Sequence, residues 1–123
     1  MSDLNPTEVT ITLGGEERHF LFTMNVFDTI QDRYKLPVFD VITRLAEDVV
    51  NVRAVIELTT ILVNDEARRK AHFGINTELK TITEEEAGWL ITIENMGEVS
   101  TAILQAFGIA TPEPDEDEDE DPN

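Results

Sequence analysis

Val52, Val55, Ile56, Leu58, Ile61, Leu62 and Val63 recur at helical spacing and cover well over half of a helix's circumference. A helix that apolar cannot lie on a surface. It has to be the central core element, and the rest of the chain has to wrap it. Asn51 supplies its N-cap, and the pattern runs to about His72, with Arg53, Glu57, Thr60 and Asn64 as the polar remainder. The last two turns, Asp65 to Lys70, read as solvent-facing, with a basic end that complements the helix dipole. Gly74 is the stop.

What wraps this helix is legible on both sides of it. In Glu8–Leu13 the apolar residues fall at 9, 11 and 13, the period of a half-buried strand. Gly14-Gly15 provides the positive φ angles of a tight hairpin. The return strand, Glu16–Phe22, places Phe20 and Phe22 on one face and Leu21 on the other. A helix capped by Asn25 follows, with Asp28 near its N-terminus and a stripe of Val26, Phe27, Ile30 and Tyr34. Pro37 ends it and suits the first turn of the next, which carries Val38, Val41, Ile42, Leu45 and Val49. After the central helix, Thr83-Glu84-Glu85-Glu86 is a capping box. It predicts a helix to about Asn95, punctuated by Met96-Gly97. A last helix, Glu98–Phe107, presents Val99, Ala102, Ile103 and Ala106 on one face. The expected fold is α+β: an N-terminal hairpin packed on about five helices. Residues 1–7 read as a flexible start, 8–110 as the domain and 111–123 as a disordered acidic tail.

Charge narrows the function classes. The 123 residues hold 26 acidic and 9 basic side chains, a formal net charge of −17. Eight of the acids, Glu113 and Asp115 to Asp121, crowd the C-terminal end. Few Lys and Arg remain to meet phosphates or anionic lipid, which argues against nucleic-acid and membrane partners. Cysteine is absent, so neither a disulfide nor a thiolate site is available. No signal-peptide pattern opens the chain and no run has transmembrane length, so a soluble cytoplasmic protein is expected.

The search for chemistry yields no catalytic, cofactor-binding or metal-ligating residues. His19 and His72 read as two surface histidines without partners at a recognisable spacing. Glu84 to Glu86 are explained by helix capping rather than acid–base work. The tail lacks the spacing and glycine of a calcium loop, and reads as a solvated charge run. One apolar feature is in excess. On a helix from 83 to 95, Ala87, Leu90 and Ile91 form one stripe, while Trp89, Ile93 and Met96 form a second about 100° away. The second stripe reads either as core or as a surface for a partner or a second copy, since Trp and Met suit such surfaces. Phe73 and Ile75, in the preceding loop, extend it.

With these residues in order, the chain resembles the small tail assembly chaperones of long-tailed bacteriophages, prophages and gene transfer agents. The likeness begins at Val9-Thr10-Ile11-Thr12-Leu13-Gly14-Gly15 and Phe20-Leu21-Phe22-Thr23-Met24-Asn25. It continues through Val26-Phe27-Asp28-Thr29-Ile30, Val52-Arg53-Ala54-Val55 and Thr83-Glu84-Glu85-Glu86-Ala87, and ends at Ala102-Ile103-Leu104-Gln105-Ala106-Phe107. It spans roughly residues 8–108 and rests on the order and character of the elements. The resemblance implies a non-enzymatic protein of the host cytoplasm, absent from the mature virion. Its implied client is the tape measure protein, kept soluble while tail-tube subunits polymerise around it. Many such families make a longer form by frameshifting that helps recruit tube protein, and self-association is common among them. The alternative from another class is an acidic inhibitor that mimics DNA toward a nucleic-acid-binding protein.

Overall fold

The computed structural model describes residues 7–47 and 51–109. The acidic tail, Val49 and the first six residues of the expected flexible N-terminus lie outside these.

Two strands, β1 (Val9–Leu13) and β2 (Glu16–Phe20), form an antiparallel hairpin, and five helices follow: α1 (Met24–Tyr34), α2 (Val38–Glu47), α3 (Val52–His72), α4 (Glu84–Leu90) and α5 (Met96–Phe107). Gly14 and Gly15 turn the hairpin at φ of 60° and 81°. Directly opposed residues in such a ladder share a face. Ile11 faces Arg18 and Val9 faces Phe20, and Ile11, Leu13, Arg18 and Phe20 are all buried. The hairpin's inner face therefore carries a guanidinium among its apolar side chains. β2 ends at Phe20 rather than Phe22, because Thr23 N–H folds back onto the Leu21 carbonyl as α1 begins. Phe22 still points into the core.

α3 is the central element, as its sequence requires. It packs against β2, α1, α4 and α5 and buries Val55, Leu58, Leu62 and Val63. Asn51 caps it, its side chain accepting Ala54 N–H at 3.1 Å. Around it close Ile30 from α1, Ile42 and Leu45 from α2, and Val99, Ile103 and Phe107 from α5. Phe107 meets Phe22 and Phe27 edge-on and tilted, with ring centroids 5.2 and 5.9 Å away.

Four local expectations change. Thr23, not Asn25, caps α1, its hydroxyl accepting Val26 N–H at 3.2 Å. Thr23 wins because its hydroxyl also donates to Asp65 across the core at 3.2 Å, which fixes it in the capping position. Asp28 then falls one turn inside the helix. Second, Asp65, Glu66 and Ala67 are buried instead of facing solvent, as are Glu57 and Thr60, while Val52 is exposed. Third, the capping box is present, with Thr83 and Glu86 exchanging hydrogen bonds at 2.8 and 3.0 Å, but the helix it opens ends at Leu90. Thr92 and Asn95 make a reciprocal turn, Thr92 N–H donating to Asn95 Oδ1 at 2.7 Å, and Asn95 Nδ2 donates to the Leu90 carbonyl at 3.0 Å. That turn breaks the wheel on which Trp89, Ile93 and Met96 formed one stripe. Fourth, α5 starts at Met96 and runs through Gly97. Among the described residues no helix is long and apolar enough to cross a membrane.

Candidate functional site

Two buried carboxylates lock the scaffold before any surface can be considered. Glu66, only 1 % exposed, receives Arg18 Nε and Lys70 Nζ, each at 2.8 Å. It also accepts the His19 backbone N–H at 3.1 Å and lies 2.9 Å from His19 Nδ1. Arg18 donates further to the Val63 carbonyl at 3.0 Å. Burial alone would raise this carboxyl's pKa. The hydrogen bonds from Lys70, from the His19 backbone and ring and from Arg18 outweigh burial and hold it at about 2. The cluster welds β2 to the C-terminal half of α3. His19 is therefore not a free surface histidine, since the ring is mostly covered and its Nδ1 faces Glu66 and Lys70.

The second carboxylate, Glu57, accepts the Tyr34 hydroxyl at 2.5 Å and Arg33 at 2.9 Å. Arg33 and Arg53 both continue to Glu84, at 2.6 and 2.9 Å. Burial and the bond to Glu57 push the Tyr34 phenol well above its ordinary range. This chain of charges ties α1 and α3 to the first turn of α4. Asn64 completes the attachment: its amide brackets Ile82, accepting from Ile82 N–H at 2.7 Å and donating to its carbonyl at 2.9 Å. The α4 segment is thus held at both its approach and its start. Sequence reasoning missed both clusters. The signal was present for one of them: the alternation that turns Phe20 and Phe22 inward turns Arg18 inward too, and a buried cation needs a buried anion.

On this scaffold α4 points Ala87 into the core, with Leu90 and Ile91 half-buried beside it. Trp89 faces outward, 71 % exposed, and Ile93 in the following turn is 98 % exposed. Met96 is half-buried against the core. Phe73 and Ile75, beyond the end of α3, are 68 % and 67 % exposed. These residues form two groups rather than one surface. α4 lies over the early part of α3, where Gly88 is against Ile56. Phe73 is 17 residues further on, roughly 25 Å along the helix.

Near Phe73 there is a cleft of about 720 Å³ between the start of α1 and the end of α3. Its apolar lining is Met24, 72 % exposed, Val26, Ile61 and Phe73. Arg68 and Arg69 line it with guanidinium groups, Asp28 and Asp65 with carboxylates, and His72 lies beside them. Asp65 is committed to Thr23 and to Arg69, 3.9 Å away. Arg68 has no ionic partner among the described residues. Among these residues, no three His, Asp or Glu converge as a metal site would require.

Compared with protein-family models, curated proteins and solved structures, the chain matches none.

Proposed function

We propose that this chain is a tail assembly chaperone of a long-tailed phage or a related element. It holds the tape measure protein soluble in the host cytoplasm, gives way to tail-tube subunits as they polymerise, and is left out of the virion. One observation carries the reading. The molecule closes a full apolar core and still leaves Trp89 and Ile93, five residues of chain from end to end, facing water. An exposed tryptophan on a firmly anchored short helix is what a binding anchor looks like, because Trp contributes large contact area at low entropic cost. The client's exposed helical stripes would pack against it by helix-in-groove contact. Modest affinity follows from the small size of the patch, and it lets tube subunits win the competition. The acidic-inhibitor reading rests on the overall charge and on exposed acids such as Glu16, Glu17 and Asp28, while Glu57, Asp65 and Glu66 are turned inward and bonded.

The test is Trp89→Ala combined with Ile93→Ser in pull-down of a long helical client. Both side chains lie outside the core, so the unfolding free energy should stay within the small range of surface substitutions, about 0.5 kcal/mol each. Client capture should be lost. Undiminished capture by the folded double variant would overturn the assignment of this patch.

A further inference from the structure

In an antiparallel ladder, opposed pairs alternate between those that exchange hydrogen bonds and those whose N–H and C=O groups point outward. His19 N–H leaves the ladder for Glu66, 3.1 Å away. His19 opposes Thr10, so Thr10–His19 and Thr12–Glu17 are the outward-facing pairs. On β2 that edge is taken by Glu66 and carries the exposed charge of Glu17. On β1 the N–H and C=O of Thr10 and Thr12 meet no partner among the described residues. Both threonines are exposed, and Val9–Leu13 has no charge, proline or bulge to blunt the edge.

A groove of about 330 Å³ runs beside this edge, between β1 and α5. Val9 and Ile11 line its β1 side, and small Gly97, Thr101 and Ala102 its α5 side. A Cβ on Gly97 would meet nothing within 4 Å, so the groove is open there. Glu98 is the lining's one charged side chain, exposed and without a cation among the described residues. Glu8, also exposed, precedes the strand.

We propose that the β1 edge accepts an extended segment of a partner protein as a third strand. The segment turns small or β-branched side chains to the groove and sets a Lys or Arg opposite Glu98. The N–H and C=O groups of Thr10 and Thr12 hold its main chain, and its alternating side chains give selectivity. Charge decides against a second copy. The β1 of another copy brings no cation to Glu98, is flanked by Glu8 and Glu16, and comes on a molecule of net charge −17.

The probe is a synthetic peptide, acetyl-Lys-Thr-Val-Thr-Val-Thr-Lys-amide, titrated into the full chain and read by amide chemical shifts and hydrogen exchange. Saturable shifts are expected at Thr10, Thr12, Gly97, Glu98 and Thr101, with exchange slowed at Thr10 and Thr12. The same peptide with Glu in place of both Lys should bind about tenfold more weakly or worse. Thr12→Pro removes one outward N–H and no ladder bond, which an edge strand tolerates. It should weaken binding about tenfold, the worth of one hydrogen bond. Gly97→Leu has room for its side chain, fills the groove and should abolish binding, which keeps the test decisive even if the proline variant unfolds. No saturable shift at Thr10 and Thr12, equal affinity for the acidic peptide, or undiminished binding to folded Gly97→Leu would overturn the proposal. So would slow exchange of Thr10 and Thr12 in the free chain: dependent on concentration, it would mean a second copy on the edge, and otherwise the chain's own terminus. Trp89→Ala with Ile93→Ser leaves all these groups in place, so peptide binding and client capture can fail separately.

Discussion

Replacing Glu66 by Gln keeps the side chain's shape and removes its charge. Arg18, itself buried, then loses its buried counter-ion and keeps only exposed Glu16 at 3.7 Å, and the new amide faces the Lys70 ammonium. A carboxyl held at about 2 in the fold, against an ordinary 4.5, corresponds to roughly 3 kcal/mol of stability at about 1.4 kcal/mol per pH unit. Breaking one partner of a buried ion pair costs a similar amount, about 3–5 kcal/mol. For a body of this size, that lowers the thermal midpoint by more than about 10 °C. The sign with pH follows from the depressed pKa. The contribution is complete above about pH 5, declines as pH falls through 4.5, and is gone near 2. Urea unfolding followed by far-ultraviolet circular dichroism is the assay, since exposed Trp89 is a poor reporter of burial. Wild type and Glu66→Gln should differ by roughly 3 kcal/mol at pH 7 and converge as pH approaches 2. A difference under about 1 kcal/mol at pH 7, or equal slopes between pH 5 and 2, would refute the reasoning.

Other perturbations probe the remaining joints. Arg18→Met together with Glu66→Met removes both buried charges, so it should cost less than Glu66→Gln alone, measured by the same denaturation. Asn64→Ala strips both backbone partners from Ile82 and should cost about 2 kcal/mol, with faster amide exchange at Ile82 and along α4. Gly14→Ala and Gly15→Ala each force a left-handed alanine, about 1–2 kcal/mol. Gly14→Ala should be the worse of the two by midpoint, because its Cβ would sit 2.6 Å from Leu90 Cδ2 while that of Gly15 meets open space.

These joints also mark where sequence legibility stopped. The hairpin, the central helix and the inward face of α5 were readable because each depends on near neighbours: alternation in Val9–Leu13, the Asn51 cap, the spacing of Val99, Ala102, Ile103 and Ala106. Glu66 was misread because its meaning lies 48 residues away, in Arg18. On a helical wheel, a charged run beside Arg68 and Arg69 looks like a solvated face. The length of α4 was overestimated for a different reason. Ile91 and Ile93 continue the apolar spacing past the point where Thr92 and Asn95 take over the backbone bonds. The exposure of Trp89 follows from that early stop together with the anchoring of Ile82 and Glu84. The cleft beside Phe73 had no local signal, since Met24 and Arg68 meet only through tertiary packing of α1 on α3.

The proposed function, holding another protein in solution, is met by one experiment. The longest reading frame downstream of this one is expressed alone and together with this chain, and its product is quantified in the soluble fraction. The expected product is a long helical protein that is insoluble alone, becomes soluble with this chain and co-purifies with it. A product equally soluble alone, or one that fails to co-purify, would contradict it.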